Sequence, residues 1–163
     1  MKIEKDVTEI ANEILSQGNV DLSDPRLKVT NKDGNSVAHA MVVAGYIFPE
    51  DSPILLFADD KGWSVAHAMA FKGHHFSDDL PLLTLADNDQ FTVAHAMALE
   101  GYCFPEDSPV LKLSDKDQYT VAHTMAANGY RITRKDILEL TDNQGNSVLE
   151  IQAQYNDKAI YKE

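Results

Sequence analysis

Apolar and polar residues recur along this chain with a period of 28 residues. Each copy opens on a serine or threonine, continues with Val-Ala-His, and reaches a glycine nine residues after its opening residue. The copies open at Ser36, Ser64, Thr92 and Thr120. A fixed period of this size is typical of repeat units that bury their apolar faces on one another. The pattern therefore predicts an array of similar units and not a single globular core.

Each copy predicts one short buried helix. In the first copy, Val37 to Ala44 are apolar on every side except at His39. A helix that is apolar all round must be buried between neighbours. Ser36 is suited to the N-cap, because its oxygen can accept an amide hydrogen of the first turn. Gly45 is placed to end the helix.

The two ends of the chain predict terminal caps. Residues 3–17 are apolar on one face only, and Gly18 follows them, so we expect an amphipathic helix with a solvent-facing side. Residues 147–151 repeat the helix pattern with Glu150 in place of the histidine. A more polar final unit is what a C-terminal cap needs. Cap-like ends argue against end-to-end stacking, and we expect a monomer.

The segments between the predicted helices also repeat. Residues 45–53 and 101–109 are nearly identical, which indicates duplication of a two-repeat unit. Their prolines leave room for one helical turn at most. Apolar pairs with one residue between them come next and predict extended chain, and the polar turns after them predict hairpin-like tips. The pairs are Leu55/Phe57, Leu83/Leu85, Leu111/Leu113 and Leu138/Leu140.

The composition restricts the partners and the compartment. The 163 residues include 26 acidic and 14 basic side chains, for a net charge of −12. Nucleic acid and anionic membranes repel such a chain, so we expect neither as a direct partner and favour a basic protein surface. No apolar run approaches the roughly 18 residues of a membrane span, and the charged N-terminus does not resemble a signal peptide, so a cytoplasmic location is expected.

The single cysteine, Cys103, takes the place of Ile47 in the duplicated segment, which predicts a core position.

One stretch carries a recognisable motif. Asp59 is followed by Gly62, by Ser-Val-Ala-His-Ala-Met-Ala over 64–70, and by Gly-His at 73–74. This order resembles the ankyrin repeat and recurs in register, and residues 147–160 resemble an ankyrin C-terminal cap. Val-Ala stands where the family has Pro-Leu, and the period is 28 residues, against about 33 in the family. The missing residues fall where the family has its second helix, which we expect to be shortened to roughly a turn.

The resemblance implies an all-α, ankyrin-like helical repeat solenoid with hairpin-like turns and a shortened second helix in each repeat. A single domain is expected over 1–163. It comprises an N-terminal cap (1–35), repeats over 36–63, 64–91, 92–119 and 120–146, and a C-terminal cap (147–163). The near-identical repeats and the small size favour a bacterial or phage origin.

Four histidines share one repeat position: His39, His67, His95 and His123. Zinc binds imidazole nitrogen at about 2.0–2.1 Å, so two ligand atoms must lie within about 4 Å of each other. Equivalent residues of neighbouring repeats are a helix packing distance of about 8–10 Å apart, so one metal cannot bridge them. The resemblance implies a structural role instead, in which these histidines bond the capping hydroxyl and the hairpin backbone. No metal or cofactor is expected, although His74 and His75 form the one adjacent pair.

The pairing of a hydroxyl residue with a histidine three residues later occurs four times, as in Ser64 and His67. A hydrolase needs one distinguished copy with an orienting acid and an oxyanion hole. Four equal copies argue for a scaffold. We therefore predict that the chain is not an enzyme.

The residue before each capping serine or threonine is a candidate for partner binding, and in three repeats it is aromatic: Trp63, Phe91 and Tyr119. The resemblance places it on an exposed hairpin that faces the concave side. Exposed aromatic residues among charges are typical of binding hot spots. The alternative is that these rings pack on one another and shield the hairpins from water. The other candidates are Phe71 and Leu99 near helix ends and Asp60, Asp89 and Asp117 in the turns.

The function implied by the resemblance is protein–protein recognition. We predict a non-catalytic module, such as an inhibitor or an effector, that binds a basic or mixed protein surface through its concave face. The alternative is an acidic decoy that mimics nucleic acid and occupies a DNA- or RNA-binding protein. A purely structural role within a larger assembly is also open.

Overall fold

The computed structural model describes residues 5–78 and 81–160, with side chains as far as Tyr155. Ile3, the first residue of the predicted N-terminal helix, and residues 161–163 of the predicted C-terminal cap lie outside this description. The described α-helices are α1 (Val7–Ser16), α2 (Val37–Val43), α3 (Val65–Phe71), α4 (Val93–Leu99), α5 (Val121–Ala127), α6 (Lys135–Leu138) and α7 (Val148–Ile160). Single 3₁₀ turns span Pro25–Lys28, Pro53–Leu56, Pro81–Thr84 and Pro109–Lys112.

The fold is an all-helical repeat, as the sequence predicts. In the described part of the chain there is no β-strand, and isolated antiparallel bridges close the hairpins. The bridged pairs are Thr30–Ser36, Ala58–Ser64, Ala86–Thr92, Ser114–Thr120 and Thr141–Ser147. A repeat therefore consists of a hairpin, an α-helix of seven residues, a connector and a 3₁₀ turn.

The repeat helices begin at a reciprocal cap. In α2 the Ser36 hydroxyl accepts the backbone N–H of His39 at 3.3 Å, and the Nδ1 of His39 accepts the backbone N–H of Ser36 at 3.1 Å. The same pair of bonds opens α3, α4 and α5. Each bond satisfies an amide that a helix start would leave without a partner. Gly45 follows the helix and its C-cap Ala44, and its φ of 100° lies in a region that disfavours side chains.

The apolar pairs after the connectors are not extended throughout, and that prediction was wrong. Leu55 lies within the 3₁₀ turn Pro53–Leu56, Leu83 and Leu111 take the same place in their turns, and Leu138 ends α6. Pro53 fixes φ at a helical value, and the Ser52 hydroxyl accepts the N–H of Ile54. Local geometry therefore forms a turn that still brings Leu55, Leu83 and Leu111 into the core.

The described chain divides into two compact units, Met1–His74 and His75–Glu163. In the first unit, α2 packs against both α1 and α3. In the second unit, α4 packs on α5, α5 on α7, and α6 on α7. The single domain expected from the sequence stays a prediction.

The duplication of the connector is visible in its packing. Tyr46 meets Phe48 edge-on at 4.8 Å between ring centroids, and Tyr102 meets Phe104 at the same distance. Both phenylalanines are buried, whereas Ile47 and Cys103 are exposed. The predicted core position for Cys103 was therefore wrong, because the core residue of this segment is the phenylalanine beside it.

Candidate partner-binding surface

The buried histidines join each helix start to the following hairpin. The Nδ1 of His95 accepts the N–H of Thr92 at 3.2 Å, and its Nε2 lies 3.0 Å from the carbonyl oxygen of Tyr119. Because Nδ1 accepts a hydrogen bond from the backbone, it carries no hydrogen, and the ring is the neutral tautomer that carries its hydrogen on Nε2. His67 makes the same contacts with its own cap residue, Ser64.

Burial lowers the pKa of His39 below its ordinary value of 6.5, although the bond to the Trp63 carbonyl and the nearby Asp59 act in the opposite direction. Burial likewise lowers the pKa of His123, against the bond to the Asn146 carbonyl. Both rings are therefore biased towards the neutral state that their hydrogen bonds require.

The three aromatic candidates are half-buried, and each stacks on the histidine four residues later in the chain. The ring centroids of Trp63 and His67 lie 4.9 Å apart, those of Phe91 and His95 lie 5.0 Å apart, and those of Tyr119 and His123 lie 4.8 Å apart. The interplanar angles are 32–33°. The sequence left interface and packing open for these residues, and the geometry shows packing with part of each ring still accessible.

Backbone bonds fix the position of these aromatics. Asp59 Oδ1 accepts the N–H of Trp63 at 2.9 Å, while the Trp63 carbonyl accepts the N–H of Asp59 at 3.0 Å. Tyr119 has the same two bonds with Asp115, and its hydroxyl also donates to the His123 carbonyl at 3.3 Å. These hydrogen bonds therefore hold in place the hairpin backbone that carries the aromatic rings.

The most exposed apolar candidates lie at the ends of the repeat helices. Phe71 is 49% exposed and Leu99 is 47% exposed, and Val43, at the same repeat position, is 66% exposed. Phe71 meets the Trp63 ring edge-on at 6.1 Å, so the structure brings these two predicted site residues together. The same repeat position is thus apolar and accessible in three successive copies, on helices whose other apolar residues are largely buried.

The acidic candidates lie at the exposed hairpin tips, where side chains of the following tip contact Asp89 and Asp117. The Nζ of Lys116 lies 2.9 Å from Asp89 Oδ1, which raises the pKa of Lys116. The side-chain amide of Asn143 donates to Asp117 at 3.2 Å. Consecutive tips are also joined through the backbone, because the N–H of Asp60 donates to the Asp33 carbonyl at 3.2 Å.

Sequence reasoning missed two strained residues in these tips. Gln90 has a φ of 62° and Gln118 a φ of 60°, in the left-handed region that favours glycine. The equivalent residues of the other tips are Gly34, Gly62 and Gly145. The signal was present in the sequence, since both glutamines interrupt the Asp-x-x-Gly order of the motif.

The described residues contain no group of three or more His, Cys, Asp or Glu side chains placed to hold a metal. None of the helices in the described ranges is both long and apolar enough to cross a bilayer.

A scan against models of known protein families gives no match to this chain, and a search of curated proteins gives none either.

Proposed function

We propose that this chain is an ankyrin-like repeat protein that binds another protein without catalysing a reaction. The observation that carries the proposal is the exposure of Val43, Phe71 and Leu99 at one repeat position. Large apolar side chains that recur in the open on rigid helices are typical of an interaction surface. The half-buried Trp63 ring borders Phe71, and Phe91 and Tyr119 take the equivalent position in the next hairpins.

The ankyrin-like assignment is supported by local geometry. A hydroxyl residue and a histidine form the reciprocal cap, and in α2, α4 and α5 the histidine also bonds the backbone of the following hairpin. A single 3₁₀ turn occupies the place of a second helix. In such a repeat, the hairpins and the first helices would form the concave binding face.

The proposed partner presents basic residues around an apolar patch. The chain carries a net charge of −12. Glu100 is exposed directly after Leu99 in the sequence, and Asp60 and Asp117 are exposed within three residues of Trp63 and Tyr119. Complementary charge raises the association rate and disfavours acidic competitors. The ammonium of Lys116 pairs with Asp89 and so neutralises part of the negative charge at the hairpin tips. A decoy for a nucleic-acid-binding protein depends on that negative charge. The decoy is therefore the less supported alternative.

A non-catalytic role is supported by the state of the repeated hydroxyl–histidine pairs. Ser64 and His67 are both buried. The Ser64 hydroxyl accepts the His67 N–H at 3.2 Å, and the Nδ1 of His67 lies 2.7 Å from that hydroxyl. Because both groups are engaged in capping the helix and are closed to solvent, a substrate has no access to them.

The test is affinity capture with matched variants of the full chain. Wild type, Phe71→Ser/Leu99→Ser and the control Ile47→Ser/Leu56→Ser, which removes apolar side chains that are each 60% exposed, are immobilised side by side. Lysate proteins retained by each are identified and quantified by mass spectrometry. The proposal expects a protein that wild type and the control retain and Phe71→Ser/Leu99→Ser loses. An identical set on all three columns would overturn it.

Thermal unfolding of the three proteins separates lost binding from lost folding. Exposed positions should change the free energy of unfolding by about 1 kcal/mol or less. Adding duplex DNA to the lysate tests the decoy alternative, because DNA would then displace the captured protein in a strongly salt-dependent manner.

A further inference from the structure

Helix α7 exposes the positions that the repeat helices bury. The residue two after each cap serine or threonine is Ala38, Ala66, Ala94 or Ala122, and all four are 0% exposed. The equivalent residue of α7 is Leu149, which is larger and 53% exposed. Ala126 of α5 is also fully buried, whereas its equivalent, Ala153, is exposed. This side of α7 therefore presents, in the open, the face through which a repeat helix packs.

One polar residue of α7 lies on the inside of the fold. Gln152 replaces the buried methionine of the repeats and is itself buried. Its side chain accepts the N–H of Ile132 at 2.7 Å and donates to the Ile132 carbonyl at 3.2 Å. In α7 a glutamine thus faces the core while Leu149 faces outward.

Helix α1 shows how this chain builds a solvent-facing helix. It buries Val7, Ala11 and Ile14, and its exposed residues include Glu9 and Glu13. Where α1 exposes glutamates, α7 exposes Leu149, which is apolar and larger than the alanine of the repeats at this position. The sequence-based expectation of two polar caps thus fits α1 better than α7.

Glu150 changes the hydrogen-bonding character of this face. In the repeats the histidine Nε2–H donates to the neighbouring hairpin, as His123 does to the Asn146 carbonyl at 3.1 Å. Glu150 takes the histidine position and keeps the cap, because its Oε2 accepts the N–H of Ser147 at 2.7 Å. A carboxylate can only accept hydrogen bonds, so its complement on a neighbour is a donor such as lysine or arginine.

We propose that the outward face of α7 at Leu149, Glu150 and Ala153 is a second docking surface, which takes an amphipathic helix of another protein. A helix fits because α4 and α5, and α5 and α7, already pack in this way. Its contact stripe carries aliphatic side chains for Leu149 and a lysine or arginine for Glu150. This surface shares no residue with the one under Proposed function, and the inference does not rest on that proposal.

Charge argues against a second copy of this chain as the occupant. The same face of another copy would present its own Glu150, and α1 of another copy would present Glu9 and Glu13. Like carboxylates placed against each other destabilise a contact, whereas a basic helix is attracted. The occupant is therefore a basic helix and not this chain.

The experiment uses a phage-displayed library of helical peptides that vary at their charged and apolar positions, selected on the immobilised full chain. An enriched peptide is then titrated by fluorescence anisotropy. The proposal expects enrichment of aliphatic stripes with lysine or arginine, affinity reduced at least about tenfold by Leu149→Asp, and a shallower salt dependence with Glu150→His. Leu56→Ser, which removes an exposed leucine outside both proposed surfaces, should leave the affinity unchanged.

Three results would overturn the proposal: no enriched peptide, peptides whose affinity Leu149→Asp leaves intact, or acidic peptides in place of basic ones. Sedimentation of the wild-type chain supplies a fourth, since a dimer abolished by Leu149→Asp would make a second copy the occupant. Leu149→Ala and Glu150→His install the residues that the repeats carry at these positions, so they give folded variants with the docking face altered.

Discussion

The Nε2 atom of His39 lies 3.0 Å from the carbonyl oxygen of Trp63, in the next hairpin along the chain. His95 and His123 make the same contact with Tyr119 and Asn146. Each of these rings also accepts the N–H of its own cap residue. One neutral imidazole therefore stabilises the helix it begins and fastens that helix to the following hairpin.

Replacing His123 with alanine should destabilise the protein by about 3 kcal/mol. The change removes the cap bond, the bond to the Asn146 carbonyl and a fully buried ring, and each loss costs on the order of 1 kcal/mol. Urea unfolding followed by circular dichroism measures the effect. The matched control is Glu150→Ala, which removes only the cap bond of an exposed residue and should cost about 1 kcal/mol. Equal losses in the two variants would contradict the linking role of the histidine.

The free energy of unfolding should fall as the pH drops below 6.5. Burial lowers the pKa of His39 and His123 from the ordinary value of 6.5, so the unfolded chain binds protons in a range where the folded chain does not. Above pH 6.5 these two histidines do not change the free energy of unfolding with pH. Below pH 6.5 each of them lowers it by up to about 1.4 kcal/mol per pH unit.

Urea unfolding between pH 5 and pH 8 measures this dependence. The pKa of Asp136, lowered to about 2 chiefly by its hydrogen bond with Arg134, places that carboxyl outside the histidine range. His123→Gln should reduce the slope below pH 6.5, and an unchanged slope would show that this ring does not contribute.

The helices α2 to α5 could be predicted because their signals are local. A hydroxyl three residues before a histidine and a glycine at the helix end act within a single repeat. The pairing of Lys116 with Asp89 could not be predicted, because it depends on how two hairpin tips align. The sequence pattern also equates Leu149 with the buried Ala122, and only the order of packing distinguishes them.

Replacing Gln90 or Gln118 with glycine should stabilise the protein by about 0.5–1 kcal/mol each. A side chain in the left-handed region costs about 1–2 kcal/mol, of which the greater entropy of an unfolded glycine offsets part. Thermal and urea unfolding measure the gain. Gln144 is the control, because it is a tip residue outside that region, and Gln144→Gly should lower stability. A loss on Gln90→Gly would mean that the glutamine side chain makes compensating contacts.

Gln152→Met should destabilise the protein although it restores the residue found in the repeats. It leaves the buried N–H and C=O of Ile132 without the bonds that Gln152 supplies, and each unsatisfied group costs about 1–3 kcal/mol. Gln154→Met, on the exposed side of the same helix, should stay within about 0.5 kcal/mol of wild type. Amide exchange at Ile132 gives a second readout, and unaltered protection there would contradict the assigned bond.

Gly34→Ala should cost more than Gly145→Ala, although the two glycines occupy equivalent tips with almost the same backbone. Their φ angles are 81° and 83°, so the strain of a side chain in the left-handed region is common to both. A Cβ on Gly34 would lie 2.7 Å from the backbone nitrogen of Asp60, whereas one on Gly145 would meet no described atom within 4 Å. The clash forces apart two tips that are joined by the Asp60 N–H and the Asp33 carbonyl. The difference between the two variants should therefore exceed the loss of that bond, about 1 kcal/mol, in urea unfolding. Equal losses would mean that the tips separate without cost and that the backbone bond between them adds nothing to the stacking of α2 and α3.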